Sequence, residues 1–120
     1  MDYELTLSDD QMVAVTRFYA PITLKLLETF AEELDGFARQ HGITRFLHDV
    51  RGVKNEGGPG GDYEFASRLG EFGRSRTDRI AIVIAPGDIS HAFFETAARN
   101  RGFNIRLFER YEDAIAWLTG

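Results

Sequence analysis

Residues 80–84 are Ile80-Ala81-Ile82-Val83-Ile84, an unbroken apolar run of strand length. A run without polar residues suits a central parallel strand that helices cover on both faces. The run therefore predicts a core strand over residues 79–85. The segments before and after it indicate what kind of sheet contains this strand.

These flanking segments alternate between strand and helix patterns. The clearest helix follows Thr23, a candidate N-cap, and stops at Gly42. In chain order the predicted elements are strands at 3–7 and 12–19, a helix up to Gly42, a strand at 44–50, a helix at 62–73, the core strand, a helix at 90–101, a strand at 103–108 and a short closing helix with Trp117.

The resulting order, ββαβαβαβα, predicts one α/β sandwich over residues 1–120. Strands that alternate with helices imply right-handed crossovers, so we expect a mostly parallel five-stranded sheet. Residues 3–7 are expected to form its antiparallel edge. In such sheets ligands collect beyond the carboxyl ends of the strands, which here means residues 51–61 and 86–90.

The composition is that of one ordinary globular domain, with 120 residues, 43% hydrophobic and 28% charged. The chain has no cysteine, which excludes disulfides, thiolate metal sites and a thiol nucleophile and fits a reducing compartment. Its net charge of −5 disfavours non-specific binding to nucleic acid. No apolar run approaches the ~18 residues of a membrane span, and the N-terminus lacks a basic leader. We therefore expect a soluble cytoplasmic protein.

Two charged or glycine-rich stretches invite a ligand interpretation. The loop from Asn55 to Asp62 is rich in glycine, but no Gly-Lys-Ser/Thr closes it, and Glu56 and Asp62 would repel phosphate. It is interpreted as a mobile or shape-adapting connection. Four arginines cluster after this loop. We interpret the segment that contains them as a solvated turn, and a patch that binds an anion or a partner is the alternative. The four arginines are Arg68, Arg74, Arg76 and Arg79.

No catalytic or metal-binding pattern stands out. The three histidines, His41, His48 and His91, lack the spacing of a metal site, so no metal or cofactor is expected. Asp49 ends the third strand and is interpreted as a hydrogen-bond acceptor that anchors the next loop, with general base as the alternative. His48 and Asp49 are strand neighbours, so they point to opposite faces and cannot form a dyad.

The stretch Leu47-His48-Asp49-Val50-Arg51-Gly52-Val53 resembles the strand and turn of STAS domains, where Asp-x-x-Gly-Val/Phe follows the third strand. The chain end, Ile105-Arg106-Leu107-Phe108 and then Glu112-Asp113-Ala114-Ile115-Ala116-Trp117-Leu118, is similar to the SpoIIAA-like branch of that family. The resemblance covers nearly the whole chain. It implies a STAS-like fold and a binding activity.

Two properties of that family bear on the kind of binding. In sporulation-type members a serine of an Asp-Ser-Ser-Gly motif is phosphorylated, but residues 55–62 contain no Ser or Thr, so this switch is not implied here. The SpoIIAA-like branch is also similar in fold to lipid-binding CRAL-TRIO domains, which implies an apolar ligand.

We therefore expect a non-catalytic domain that engages a protein partner or a small apolar ligand, and a homodimer stays open. The alternative is a hydrolase-type or phosphate-handling enzyme that uses Asp49 or His48. The helix over residues 62–73 is expected to cover the ligand or simply to complete the core, because an apolar stripe serves either role. The candidate ligand-binding residues are Asp49, Arg51, Phe65, Leu69 and Phe72.

Overall fold

The computed structural model describes residues 2–120, and within them five strands and four helices follow the predicted order. The strands are β1 (Tyr3–Leu7), β2 (Ala14–Phe18), β3 (Arg45–Asp49), β4 (Arg79–Val83) and β5 (Asn104–Phe108). The helices are α1 (Leu24–His41), α2 (Gly58–Ser67), α3 (Ala92–Asn100) and α4 (Tyr111–Thr119).

The strands form one sheet in the order β1-β2-β3-β4-β5. β1 pairs antiparallel with β2, and every other neighbouring pair is parallel. This confirms the predicted mixed sheet with an antiparallel edge. Residues 80–83 of the apolar run lie on β4, an interior strand between β3 and β5, and Ile84 follows the end of the strand. β3 is the middle strand of the sheet.

Alternation along β3 and β4 divides the core into two layers. Phe46, Ile80 and Ile82 face α1, α2 and α3, where the larger apolar cluster lies. Leu47 and Ala81 face the opposite side, where they pack with residues of α4. Both faces of β4 are therefore buried, which explains why residues 80–83 include no polar side chain.

The ends of α1 have the predicted chemistry. The Thr23 side chain accepts a hydrogen bond from the Leu26 N–H at 3.2 Å, which satisfies one of the free donors of the first turn. At the other end Gly42 has φ 66°, and its N–H bonds to the Ala38 carbonyl. This left-handed conformation favours glycine because it has no Cβ.

The second helix differs from its predicted range of residues 62–73. It begins at Gly58 and ends at Ser67, and turns continue the chain to Gly73. Pro59 explains the earlier start, because its fixed φ suits the first helical turn and its missing N–H is not needed there. Gly73 has φ 84°, and a Cβ there would overlap the Asp35 carboxylate. The remaining strands and α3 differ by only one or two residues at an end.

A charge at Ile82 should unfold the domain. Ile82 is 5% exposed on β4, so Ile82→Asp would bury an unpaired carboxylate at a cost of several kcal/mol. That is comparable with the whole free energy of unfolding of a domain of this size. Urea denaturation followed by circular dichroism should show little or no cooperative transition. Asn104→Asp, at the exposed start of β5, is the control and should unfold as the wild type does. A cooperative Ile82→Asp protein with an unchanged midpoint would contradict the assignment.

Candidate functional site

An apolar cavity of about 70 Å³ lies between the sheet and the three helices on its larger face. Its floor consists of sheet side chains, and one wall comes from α1. The floor residues are Phe18, His48, Ile80, Ile82 and Ile105, and the wall residues are Phe30, Ala31 and Leu34. Its roof combines α2, the turns after it and α3.

The roof contains the three apolar residues that the sequence analysis selected. Phe65, Leu69 and Phe72 all line the cavity and are buried. The ring of Phe65 lies 5.5 Å from that of Phe72 and 5.8 Å from that of Phe94 on α3, measured between centroids. The roof is therefore a layer of aromatic side chains contributed by residues 65–72 and by α3.

The other two selected residues, Asp49 and Arg51, lie on the opposite face of the sheet. Asp49 accepts hydrogen bonds from the Arg51 N–H at 3.1 Å and from Arg51 Nη2 at 2.8 Å. Arg17 Nη1 donates a further bond to Asp49 at 2.9 Å. The Arg51 guanidinium lies 5.7 Å from the centre of the Tyr111 ring at the start of α4. The structure thus does not bring Asp49 and Arg51 together with the cavity residues.

Asp49 is held in its charged form. Burial raises the pKa of this carboxyl, but the hydrogen bonds from Arg51 and the charges of Arg51 and Arg17 outweigh it and lower the pKa below its ordinary value. The carboxylate therefore accepts bonds from the loop after β3 and from β2. His48, its neighbour, points into the cavity on the other side of the sheet.

One end of the cavity is closed by a polar network between two loops. The Asn55 amide donates to Asp62 Oδ1 at 2.6 Å and to the Ser90 carbonyl at 3.0 Å. His91 Nε2 lies 3.3 Å from the Val53 carbonyl oxygen. Burial raises the pKa of Asp62 against the opposing effects of Asn55 and His91. The network joins the loops after β3 and β4, the two segments expected at the ligand end of the sheet.

Arg74 also lines the cavity, and sequence reasoning missed it. It was expected in a solvated turn, yet it is only 8% exposed. Its guanidinium carbon lies 4.2 Å from the centre of the Phe46 ring, and Nη2 lies 3.4 Å from Asp35 Oδ1. The turn at Gly73 directs Arg74 under α1. No local signal marks this position, because Asp35 and Phe46 are 39 and 28 residues away in the chain.

His48 is the second polar group inside the cavity. Its ring lies 5.3 Å from that of Phe30 and 6.4 Å from that of Phe18, and both contacts are edge-to-face. Burial, with a smaller contribution from the charge of Arg74, lowers the pKa of His48 to about 4. The imidazole is therefore neutral near pH 7. Its Nδ1 and the Nη1 of Arg74 are buried without a hydrogen-bond partner in residues 2–120.

The arrangement is an apolar cavity with a polar network at one end and two incompletely bonded polar groups in its lining. His48 and Asp49 face opposite sides, as predicted for strand neighbours, and form no dyad. In the described part of the chain no three histidine, aspartate or glutamate side chains are grouped to hold a metal ion. No helix within residues 2–120 is long and apolar enough to cross a membrane.

The mixed sheet, the helices on both faces and the element order define a STAS-type α/β domain. The chain belongs to the SpoIIAA-like family, whose profile matches residues 13–119. Membership supports a non-catalytic binding or regulatory domain in general, and STAS domains generally engage protein partners. No curated protein is significantly similar to the chain in sequence.

The buried His48 predicts a specific loss of stability in mild acid. Its pKa is about 4 in the folded chain against 6.5 in the unfolded one, so the unfolded state binds the proton first as the pH falls. The free energy of unfolding should therefore be fully retained above pH 6.5 and fall by about 3 kcal/mol between pH 6.5 and 4 from this group alone. Urea titrations at several pH values measure the free energy of unfolding at each pH.

His91, whose pKa burial also lowers, contributes in the same direction, so the comparison must be made between variants. In His48→Gln the free energy of unfolding should depend less steeply on pH than in the wild type, because the titrating imidazole is absent. His41→Gln, at the exposed end of α1, should keep the wild-type slope. Equal slopes for His48→Gln and the wild type would show that His48 is not the group responsible.

Proposed function

We propose that this domain binds a small apolar molecule in the cavity, and that residues 58–73 form a cover that moves to admit it. The observation that carries the proposal is the cavity itself, which is lined by aromatic and aliphatic side chains. An apolar space inside a packed core lacks contacts on its lining, and an apolar ligand restores them. Absence of cysteine fits a reducing compartment, so the proposal includes a cytoplasmic location.

The volume of the cavity argues that the cover must move. An engineered apolar cavity of about 150 Å³ stays dry and binds benzene. The cavity here is about 70 Å³, so it accommodates only a few carbon atoms when closed. A larger ligand requires the roof to move away from the floor, and the floor is an interior part of the sheet.

The cover has the features of a movable segment. Gly58, with φ 67°, and Gly73, with φ 84°, mark its two ends, and glycine absorbs changes in backbone angles most easily. The N-terminus of α2 has no side-chain cap. The Arg68 side chain pairs with Glu28 on α1, but partly exposed ion pairs contribute little. The segment is held by the buried side chains of Phe65, Leu69 and Phe72, which also face the ligand, and by the hydrogen bond from Asn55 to Asp62.

A protein partner is the second candidate, and a surface feature favours it. Ile89 is 84% exposed and Phe93 is 45% exposed, and the two flank the start of α3. Exposed apolar side chains that form a contiguous surface patch are typical of interaction sites, and in this candidate Ile89 and Phe93 belong to one patch. This surface adjoins the loop that contains Ser90, which bonds to Asn55 at the end of the cavity. A partner bound there would contact the loop network that closes the cavity.

The cover should exchange its amide hydrogens faster than the sheet. We expect the amides of residues 58–73 to open with a smaller free energy than those of residues 79–83, because short glycine-flanked segments open locally. Hydrogen exchange by mass spectrometry measures both. Added cyclopentane should slow exchange in residues 58–73 and leave residues 79–83 unchanged. Equal protection in the two segments, unaffected by cyclopentane, would contradict the cover.

Filling the cavity should block binding without unfolding the chain. Ala31 lines the cavity and is 5% exposed, so Ala31→Leu places its added carbons in the empty space. We expect its free energy of unfolding to stay within about 1 kcal/mol of the wild type and its xenon-induced NMR shifts to disappear. Ala38→Leu is the matched control, because Ala38 is equally buried on α1 but does not line the cavity.

Overpacking at Ala38 should cost about 1–3 kcal/mol while xenon binding persists. If both variants lost the same stability and both still bound xenon, the cavity would not be the binding site.

A further inference from the structure

The lining of the cavity includes a buried cation with an unused hydrogen-bond donor. Arg74 is 8% exposed and lines the cavity, and its Nη1 has no hydrogen-bond partner in residues 2–120. Leaving a buried donor unsatisfied costs about 1–3 kcal/mol, and more when the group is charged. A ligand in the cavity would satisfy this donor if it carried a hydrogen-bond acceptor.

The charge around Arg74 indicates which kind of acceptor fits. Its Nη2 lies 3.4 Å from Asp35 Oδ1, and the charges of Asp78 and Asp35 both act on the guanidinium. Asp35 also pairs with Arg39 at 3.2 Å, so the two arginines and the two carboxylates of this cluster balance one another. What Arg74 lacks is a hydrogen-bond acceptor at Nη1 and not a further negative charge.

The other polar groups in the lining also favour a neutral acceptor over a negative charge. His48 is neutral near pH 7, because burial lowers its pKa to about 4, so it adds no positive charge. Asp62, at the loop end of the cavity, is a further acid, and it is 3% exposed. An anionic ligand would add a negative charge to a largely apolar lining in which the charge of Arg74 is already balanced, which is unfavourable.

Resting on the proposed function, we infer that the ligand is a neutral molecule with an apolar body and one oxygen acceptor, a ketone, aldehyde or alcohol, whose oxygen accepts a hydrogen bond from Arg74 Nη1. The aromatic roof holds the hydrocarbon part, and Arg74 orients the oxygen. Pure hydrocarbons leave the donor unsatisfied, and carboxylates add a charge that Asp35, Asp78 and Asp62 repel.

Three small molecules that share a cyclopentane ring test the inferred ligand class: cyclopentane, cyclopentanone and cyclopentanecarboxylate. Affinities for the intact protein come from NMR titration of its amide signals. In the wild type we expect cyclopentanone to bind, to shift the Arg74 guanidinium resonance, and to bind more tightly than the carboxylate. Cyclopentane should bind without shifting that resonance. The guanidinium signal is read on the unmodified protein, so the test stands even if a variant at Arg74 fails to fold.

Variants at Arg74 and Arg76 then distinguish the contribution of the ligand's oxygen to affinity from that of its hydrocarbon part. Arg74→Gln should weaken cyclopentanone about tenfold, since a hydrogen bond to a charged group contributes at least that much, and should change cyclopentane less than twofold. Arg76→Gln is the control, because Arg76 is exposed and does not line the cavity, and it should change neither.

The outcomes distinguish the two proposals. If cyclopentane and cyclopentanone both bind and neither shifts the Arg74 signal, the apolar site stands and the role of Arg74 is refuted. If the carboxylate binds most tightly, the ligand is an acid and the neutral class is wrong. If none of the probes binds, the proposed function fails, and the inference about Arg74 fails with it.

Discussion

The two-residue alternation along β3 and β4 is the constraint on which the rest of this structure depends. It sends Phe46, Ile80 and Ile82 to one side of the sheet and Leu47 and Ala81 to the other, so both faces must be covered by helices. The same alternation separates His48 from Asp49 by the thickness of the sheet. A register shift by one residue would exchange these two environments, which is why the pairing is strongly specified.

The two faces consequently have different chemistry. On the α4 side, Asp49 binds Arg51 and Arg17, so the carboxylate stabilises the turn after β3 and the neighbouring strand. On the other side, His48 lies among aromatic rings beside an apolar space. A charged network and a largely apolar cavity thus lie on opposite faces of the middle strand β3. A single ligand cannot contact both, and the proposed binding therefore uses only the cavity side.

The cavity lies where the segment from Gly58 to Gly73 covers the sheet without filling the space beneath it. A continuous amphipathic helix over this range would have packed its apolar stripe against the sheet. The helix ends at Ser67, and Leu69 and Phe72 reach the core from the turns that follow it. The space between these turns, α1 and the sheet is the cavity, and Arg74 lies in its lining.

Much of the architecture could be predicted from the sequence, because it depends on local periodicity. The apolar run at 80–84, the cap at Thr23, the stop at Gly42 and the alternating elements determined the mixed sheet and its antiparallel edge. Their spacing also predicted that Phe65, Leu69 and Phe72 share one side of their segment, and all three line the cavity; that they bind a ligand stays a prediction.

What the tertiary structure decided is where charged groups end up and where packing is incomplete. Arg74 is buried only because a left-handed turn at Gly73 brings it beneath Asp35 and onto Phe46, residues far from it in the chain. Asp49 and Arg51 bind each other, and strand alternation places them on the face of the sheet opposite the cavity. Cavity volume and buried charge depend on contacts between distant segments, and no local pattern of residue types encodes such contacts.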